Sequence, residues 1–553
     1  MRSAILYAPD GYDTSRKKLM GRHAAGEGFL QGLVRHGRQE RLVAVTQTAA
    51  DAEAFRRHVA ALGATVPAEA IGTEDLRPLE GIGCLMLPGP DLSAFAWRRR
   101  RAGEARAFSL VGVTHTISSA GAMDSICAML TAPVQPWDAL ICTSRPVRAA
   151  AIRLLRGEAA YLQRRLGATR LDGPELPVIP LGVDGAALAP DPAARAAWRA
   201  RLGIAEGEVA VLFHGRLSFH AKAHPLPMFV ALGRAAAATG VRTHLVLSGW
   251  FADEVQRRAF EEGARALMPG VRTHLVDGRL PEVRAAIRSA ADIATLLSDN
   301  IQESFGLVPV EAMAAGLPVV ASDWDGLRDT VEQSVTGFRV PTVMAGPGVD
   351  LADRHDAGLD PYDHYIAGVA QFTAVDVGAA EAAFAALLRD PGLRARMGEA
   401  GRRRVAETYD WSVVIGEYRK LWAALAERRA TARDERATPT PGEERVPRRP
   451  DPTMLFADFP SSRLTPETRL VLGPGADAAR LRALVELPGV AMRRDLLPSL
   501  QTLEAVLARL RDGPAAAGML IADLPPERAA RLHRALGWLM KLDLVRVEEQ
   551  TFP

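Results

Sequence analysis

The sequence predicts an α/β protein with two Rossmann-like, doubly wound parallel-sheet domains in tandem and a small α+β, winged-helix-like unit appended. Three observations predict it. Short apolar runs alternate with Ala/Arg-rich amphipathic stretches from residue 1 to about 430, the pattern of βαβ units. The stretch ATARDERATPTPGEERVPRRPDPT (430–453) is rich in charge and proline and poor in apolar residues, so it reads as a linker. The length of 553 residues leaves room for three or four domains at roughly 150 residues each.

The elements follow in order. In the first domain (1–185), AILYA (4–8), RLVAVT (41–46), CLMLPG (84–89), FSLVGVTH (108–115), ALICTS (139–144) and LPVIPLG (176–182) read as strands. In the second (186–430), VAVLFHG (209–215), THLVLSG (243–249), THLVDG (273–278), IATLLS (293–298) and LPVVASD (317–323) do so. Two doubly wound sheets place a cleft between the carboxyl ends of their strands. After the linker (431–453), the last unit (454–553) runs from the strand RLVLG through helices near 476–486 and 497–511. It ends with a helix carrying Leu532, Leu536, Leu539 and Met540 on one side, then a short strand.

Composition bounds the function. Hydrophobic residues make up 48% and charged residues 24%, which excludes wholesale disorder and fibrous repeats. The net charge of +3 gives no footprint for nucleic acid, and the last unit is close to neutral. Cys84, Cys127 and Cys142 show no metal-ligand spacing and suit reduced thiols in a cytoplasmic protein. The first residues read as a strand and not a leader, and no apolar run reaches the roughly 18 residues that span a bilayer. Of 68 basic residues only five are lysine, so the position of each lysine carries weight.

The most informative stretch is SDNIQESFGLVPVEAMAAGLPVVASDWDG (298–326). Glu303 precedes a strand-to-helix turn formed by Ser304, Phe305, Gly306 and Leu307, and Glu311 lies more than a turn into the helix that follows. Free backbone N–H groups at the start of a helix make an anion site, and Gly306 allows close approach to the backbone. Upstream, HGRLSFHAK (214–222) puts Arg216 and Lys222 on the loop at the carboxyl end of a strand. A lysine there suits a task needing a compact ammonium, such as neutralising a phosphate. A hydrolase pair of carboxylates is disfavoured. Retaining hydrolysis needs about 5–5.5 Å between carboxyls, whereas a turn plus helix at about 1.5 Å per residue separates Glu303 and Glu311 by roughly 10 Å or more.

These motifs, with VIPLGVD (178–184), resemble the retaining glycosyltransferases of family 4, of GT-B fold, over residues 1–430. The resemblance implies transfer of a sugar from a nucleoside-diphosphate sugar to a glycan, lipid-linked or small-molecule acceptor, with no metal and no resident cofactor. It implies that Glu303 contacts donor-sugar hydroxyls and Glu311 the ribose. Arg216 and Lys222 would hold the diphosphate, and Ser304 and the amides of Phe305, Gly306 and Leu307 would cradle sugar and phosphate. The stretch GRHAAGEGFLQGL (21–33) is neither a dinucleotide fingerprint nor a P-loop, but resembles the family loop facing donor phosphate, with Gly21 and Arg22 as contacts. His115, closing the strand GVTHTISS, resembles the histidine near the reaction centre. A nucleotide-sugar epimerase or phosphorylase, and a non-catalytic sugar-binding or scaffold protein, remain the alternatives.

Other features extend these expectations. Asp323-Trp324-Asp325-Gly326 stands where the family has a more open glycine pair. Segment 342–376 is too long for an ordinary αβ loop and reads as a lid or acceptor wall. AFAWRRRRAGEARAF (94–108) joins Phe95 and Trp97 to four arginines, which leaves open a peripheral contact with an anionic membrane face beside a solvated basic loop. The last unit reads as a module for homo-oligomer assembly or acceptor positioning.

Overall fold

The computed structural model describes residues 2–12, 21–102, 105–432 and 446–548. Most of the linker expected at 431–453 therefore lies outside the described residues. The chain divides into two compact units, Met1–Val446 and Pro447–Pro553.

The first unit holds two six-stranded sheets. One comprises β1 (Ala4–Leu6), β2 (Leu42–Thr46), β3 (Ala68–Gly72), β4 (Cys84–Met86), β5 (Ser109–Val113) and β6 (Ala139–Ile141). The other comprises β7 (Val209–His214), β8 (Thr243–Gly249), β9 (Arg272–Asp277), β10 (Ile293–Leu296), β11 (Val319–Ser322) and β12 (Gly337–Val340). Their orders are β3-β2-β1-β4-β5-β6 and β12-β11-β10-β7-β8-β9, so both follow one doubly wound scheme. Every ladder in both sheets is parallel. Helices cover both faces, which is why central strands such as LVAVT and VAVLF are continuous apolar runs and not alternating ones.

The strand reading needs three corrections. β3 (AEAIG) and β12 (GFRV) are additional edge strands, only partly buried, with little apolar signal. The segment 176–182 is not a named strand. It runs beside β6 through isolated bridges at Glu175 and Val178.

Segment 342–376 folds as an antiparallel hairpin, β13 (Thr342–Met344) with β14 (Thr373–Val375), enclosing the helices Val349–Asp356 and Tyr362–Gln371. The chain then crosses back. The helix Trp411–Thr431 buries Trp411, Val414, Tyr418, Trp422 and Leu425 in one core cluster with Phe29, Leu33 and Val111 of the first lobe. Glycines make room for it: a Cβ at Gly28 or Gly32 would stand 3.0 Å from the Trp411 ring. Gly26 packs likewise against the backbone of Gly11. The glycines inside the helix Gly21–His36 thus serve helix packing.

The arginine run lies on the helix Ser93–Arg101. Arg99 and Asp138 form a fully buried bidentate pair with contacts of 2.7 and 2.6 Å, and Asp138 also accepts the amides of Leu110 and Gln135. Phe95 is buried as well. One of the four arginines and one aromatic are therefore core groups, unavailable to a membrane surface. Among the described residues no helix is long and apolar enough to cross a membrane.

The second unit is a small α+β fold. β15 (Arg469–Leu472) lies between β16 (Ala515–Ala516) and β17 (Val545–Val547), all antiparallel. Helices Ala478–Val485, Leu500–Arg511 and Pro526–Lys541 enclose a core of Leu470, Leu507, Leu536 and Leu539. The helix Pro526–Lys541 separates the last two strands, which flank β15 instead of pairing, so the described residues form no two-strand wing.

The crossover helix yields a stability prediction. Trp411→Ala empties a site shaped by three glycines, including Gly182. It should cost about 3–5 kcal/mol, read as a lower midpoint in chemical denaturation.

Candidate functional site

The site begins where the second sheet reverses its strand order. β7 and β10 are parallel neighbours, with Ile293 opposite Val211 and Ala294 opposite Leu212. The loops leaving their carboxyl ends therefore emerge side by side. After β7 the chain turns at Gly215, whose φ of 136° strains any residue with a side chain, and passes through Arg216 and Lys222 to the helix Pro225–Thr239. After β10 it passes Asp299, Asn300, Gln302 and Glu303 and enters the helix Leu307–Ala314.

Polar contacts stitch the two loops together. Lys222 Nζ meets Glu303 Oε2 at 2.5 Å, with side chains 20% and 12% exposed. Arg216 donates to Gln302 Oε1 at 2.8 Å and to the Ala221 carbonyl at 3.1 Å. Ser298 Oγ donates to the Lys222 carbonyl, the Asn300 amide group to the His220 carbonyl, and the His224 backbone amide to Asp299 Oδ1. Three of the residues read from sequence, Arg216, Lys222 and Glu303, are thus brought to one place.

Glu311 lies on the helix beyond Gly306. Gly306 is the helix N-cap with φ 87°, and its missing side chain is needed against Leu327. Glu311 Oε2 accepts from Arg288 Nη1 at 3.1 Å, and Arg288 is itself almost buried and also donates to the Arg284 carbonyl. The two glutamates are therefore held by two different cations. Phe305 is buried with its ring against Tyr409, and the Ser304 carbonyl accepts from Ser144 Oγ at 2.9 Å. The turn 304–307 is fixed by its surroundings on both sides.

The electrostatics favour an anion here. Lys222, Arg284 and Arg288 all act on the same buried imidazole, that of His214, and Arg216 follows it by two residues. His214 closes β7. Burial, then the charges of Arg288, Lys222 and Arg284, push its imidazole down to about 3, so it stays neutral, with Nδ1 3.1 Å from Ser248 Oγ. Burial also pushes the Arg216 guanidinium below its usual value. Asp299 and Asp325 move the other way. Burial raises each carboxyl to about 7, and at Asp325 the neighbouring Glu303 carboxylate adds to the rise. Asp325 adopts φ 40°, and Trp324 Nε1 donates to the Asn300 carbonyl, so this loop packs on the site instead of standing open.

The first lobe contributes fewer groups. His115 is half-buried at the end of β5, and its Nε2 lies 3.0 Å from the Pro88 carbonyl at the end of β4. A carbonyl only accepts, so Nε2 carries the hydrogen. His115 therefore sits at the rim of the first sheet's crevice and not in its core. Gly21 opens the helix Gly21–His36, and a Cβ at this position would meet nothing within 4 Å. The loop 13–20 before it, and the Arg22 side chain, lie outside the described residues. Direct contacts between the lobes include Ser144 with Ser304 and Asp325, and Arg145 with Asp329 at 2.6 Å from its amide and 2.8 Å from its guanidinium. No group of three or more His, Cys, Asp or Glu suited to a metal occurs among the described residues.

Arg288, Gln302 and Tyr362 were not read from the sequence as site residues. An arginine in an arginine-rich chain carries no signal, and the other two gain meaning only from tertiary contacts.

This architecture, two doubly wound lobes facing one another, is the GT-B fold. Residues 194–345 match the family model described as glycosyl transferases group 1. Anabaena HepE, solved in complex with UDP, superposes over 77% of this chain and all of its own with a TM-score of 0.50 at 16% identity, a likeness of fold. Similar sequences include a D-inositol 3-phosphate glycosyltransferase of Geodermatophilus obscurus, 31% identical over 266 residues, or 47% of this chain and 50% of the relative. Another is the enzyme of that name from Nocardia farcinica, 35% identical over 207 residues, or 36% and 42%. A phosphatidyl-myo-inositol mannosyltransferase of Mycobacterium leprae is 34% identical over 172 residues, or 31% and 37%. The chain spans about half the length, or less, of these relatives.

The raised Asp299 carboxyl carries a pH prediction. The folded state holds this proton more tightly than the unfolded chain, so the stabilisation it gives is complete below about pH 4 and is lost as pH rises through about 7. Asp299→Asn, which mimics the protonated form, should gain in melting temperature over the parent as pH rises from 5 to 8. A difference independent of pH would contradict the assignment.

Proposed function

We propose that the chain is a glycosyltransferase that moves a sugar from a nucleoside-diphosphate sugar to a hydroxyl acceptor, with retention of anomeric configuration and with no metal in the transfer step. The observation that carries this reading is the Lys222–Glu303 pair beside Arg216, at the strand-order reversal of the second lobe. The match of residues 194–345 to glycosyl transferases group 1 covers the same segment.

On this reading Arg216 and Lys222 take the diphosphate, and the amides at the start of the helix Leu307–Ala314 add donors to it. Lys222 then exchanges its carboxylate partner for phosphate oxygens, which frees Glu303 to accept hydroxyls of the donor sugar. Glu311, held on one oxygen by Arg288, keeps the other for the ribose. Negative charge grows on the diphosphate as the glycosidic bond breaks. Cations and amides aimed there stabilise the transition state more than the ground state. The acceptor hydroxyl attacks from the face the diphosphate leaves, and a phosphate oxygen takes its proton. His115, on the opposite lobe, contacts the sugar near the reacting carbon. The relatives' names point to a polyol such as an inositol phosphate, free or lipid-linked, as the acceptor class to try first.

Lys222→Ala and Glu303→Ala should each keep the native circular dichroism spectrum and lose transfer by about 10²–10³ in kcat, the range for removing one preorganised charge-stabilising contact. Full activity in both would overturn the site. Epimerisation of a nucleotide sugar without acceptor would replace transfer by epimerase chemistry on the same phosphate site.

A further inference from the structure

The inserted segment reaches across the cleft. Tyr362 opens the helix Tyr362–Gln371, and its hydroxyl lies 2.8 Å from Ser118 Oγ of the first lobe and 3.1 Å from Gln302 Nε2 of the second. Gln302 in turn accepts from Arg216, and Ser118 lies 2.8 Å from Thr116 Oγ1, next to His115.

Donor and acceptor chemistry fixes the direction of this chain from Arg216 to Tyr362. A guanidinium only donates, so Gln302 turns its oxygen to Arg216 and its NH₂ to Tyr362. Tyr362 therefore accepts from Gln302, while its contact with Ser118 and that of Ser118 with Thr116 join hydroxyls, either of which can donate. The run Arg216, Gln302, Tyr362, Ser118, Thr116 is one continuous hydrogen-bonded chain, and such chains strengthen cooperatively. Asp363, the next residue, lies 4.0 Å from His220 Nε2 in the Arg216–Lys222 loop.

We infer that Tyr362 is a positioning residue: its hydroxyl ties the closed arrangement of the two lobes to the orientation of Arg216, acting through Gln302. The inference rests on the proposed role of Arg216 for its catalytic consequence, but not for the link between lobes. Arg216 is held within its own loop by the Ala221 carbonyl and from the neighbouring loop by Gln302, so its orientation toward the cleft depends on Gln302 being held from behind. Gln302 is held by a side chain that must also find Ser118, and this happens only with the cleft closed. The insertion thus makes closure and the alignment of a diphosphate-binding cation a single event.

The test combines kinetics with a measurement that needs no turnover. Tyr362→Phe keeps the ring and removes the hydroxyl. It should lower kcat about fivefold to tenfold, the worth of one or two neutral hydrogen bonds, with donor KM within about twofold of the parent. Adding Ser118→Ala or Gln302→Ala to Tyr362→Phe should lower kcat no further, because the three groups form one chain. Small-angle X-ray scattering of the ligand-free protein should show a larger radius of gyration for Tyr362→Phe. Parent-like kcat in Tyr362→Phe, or losses that multiply across the double variants, would overturn the inference. If the parent itself transfers no sugar, the proposed function fails. The scattering comparison then decides the inference alone: an unchanged radius rejects the link, and an increased one keeps it.

Discussion

The contact on which the site depends is the ion pair between Lys222 and Glu303. It joins two loops that are distant in sequence and meet only because β7 and β10 are parallel neighbours where the strand order reverses. Neither charge is fully exposed, so each would be poorly solvated without the other. The pair keeps both groups close, and in the proposed function a phosphate entering beside Lys222 takes the place of the carboxylate. The contacts at Ser298, Asp299 and Asn300 already hold the two loops together.

The two lobes are built to different degrees of fixity. Within the second lobe, each proposed donor-binding side chain has a partner on a neighbouring element: Glu303 with Lys222, Glu311 with Arg288, Arg216 with Gln302. Across the cleft the polar ties gather at Ser144 and Arg145, at the start of one helix, and at the Tyr362 hydroxyl. The crossover helix Trp411–Thr431 supplies the durable connection, with its aromatic side chains buried in the first lobe's core. The helix is thus a covalent strap anchored by apolar packing, with a few polar contacts over the opening.

Much of this was legible in the sequence because the strongest signals are local. Buried parallel strands are unbroken apolar runs. The turn SFGL with its glycine, and the helix ending before Gly316, are written in consecutive residues. The rarity of lysine drew attention to Lys222. The rest was lost for physical reasons. The edge strands AEAIG and GFRV are half-solvated and carry little apolar pattern. The four consecutive arginines look like one surface feature, yet Arg99 faces inward to Asp138. The glycines near residue 26 suggest a ligand loop but make room for Gly11 and Trp411. Arg288, Gln302 and Tyr362 acquire their roles only through partners 23, 86 and 244 residues away.

The central claim is that the Arg216–Lys222–Glu303 cluster receives a diphosphate. Isothermal titration of UDP, GDP and ADP, each against its monophosphate, tests it most directly. At least one diphosphate should bind about tenfold or more tightly than its monophosphate, the difference expected of a second charge-assisted contact. That preference should shrink with added salt. Equal affinity for monophosphate and diphosphate in all three series, or no binding at all, would contradict it.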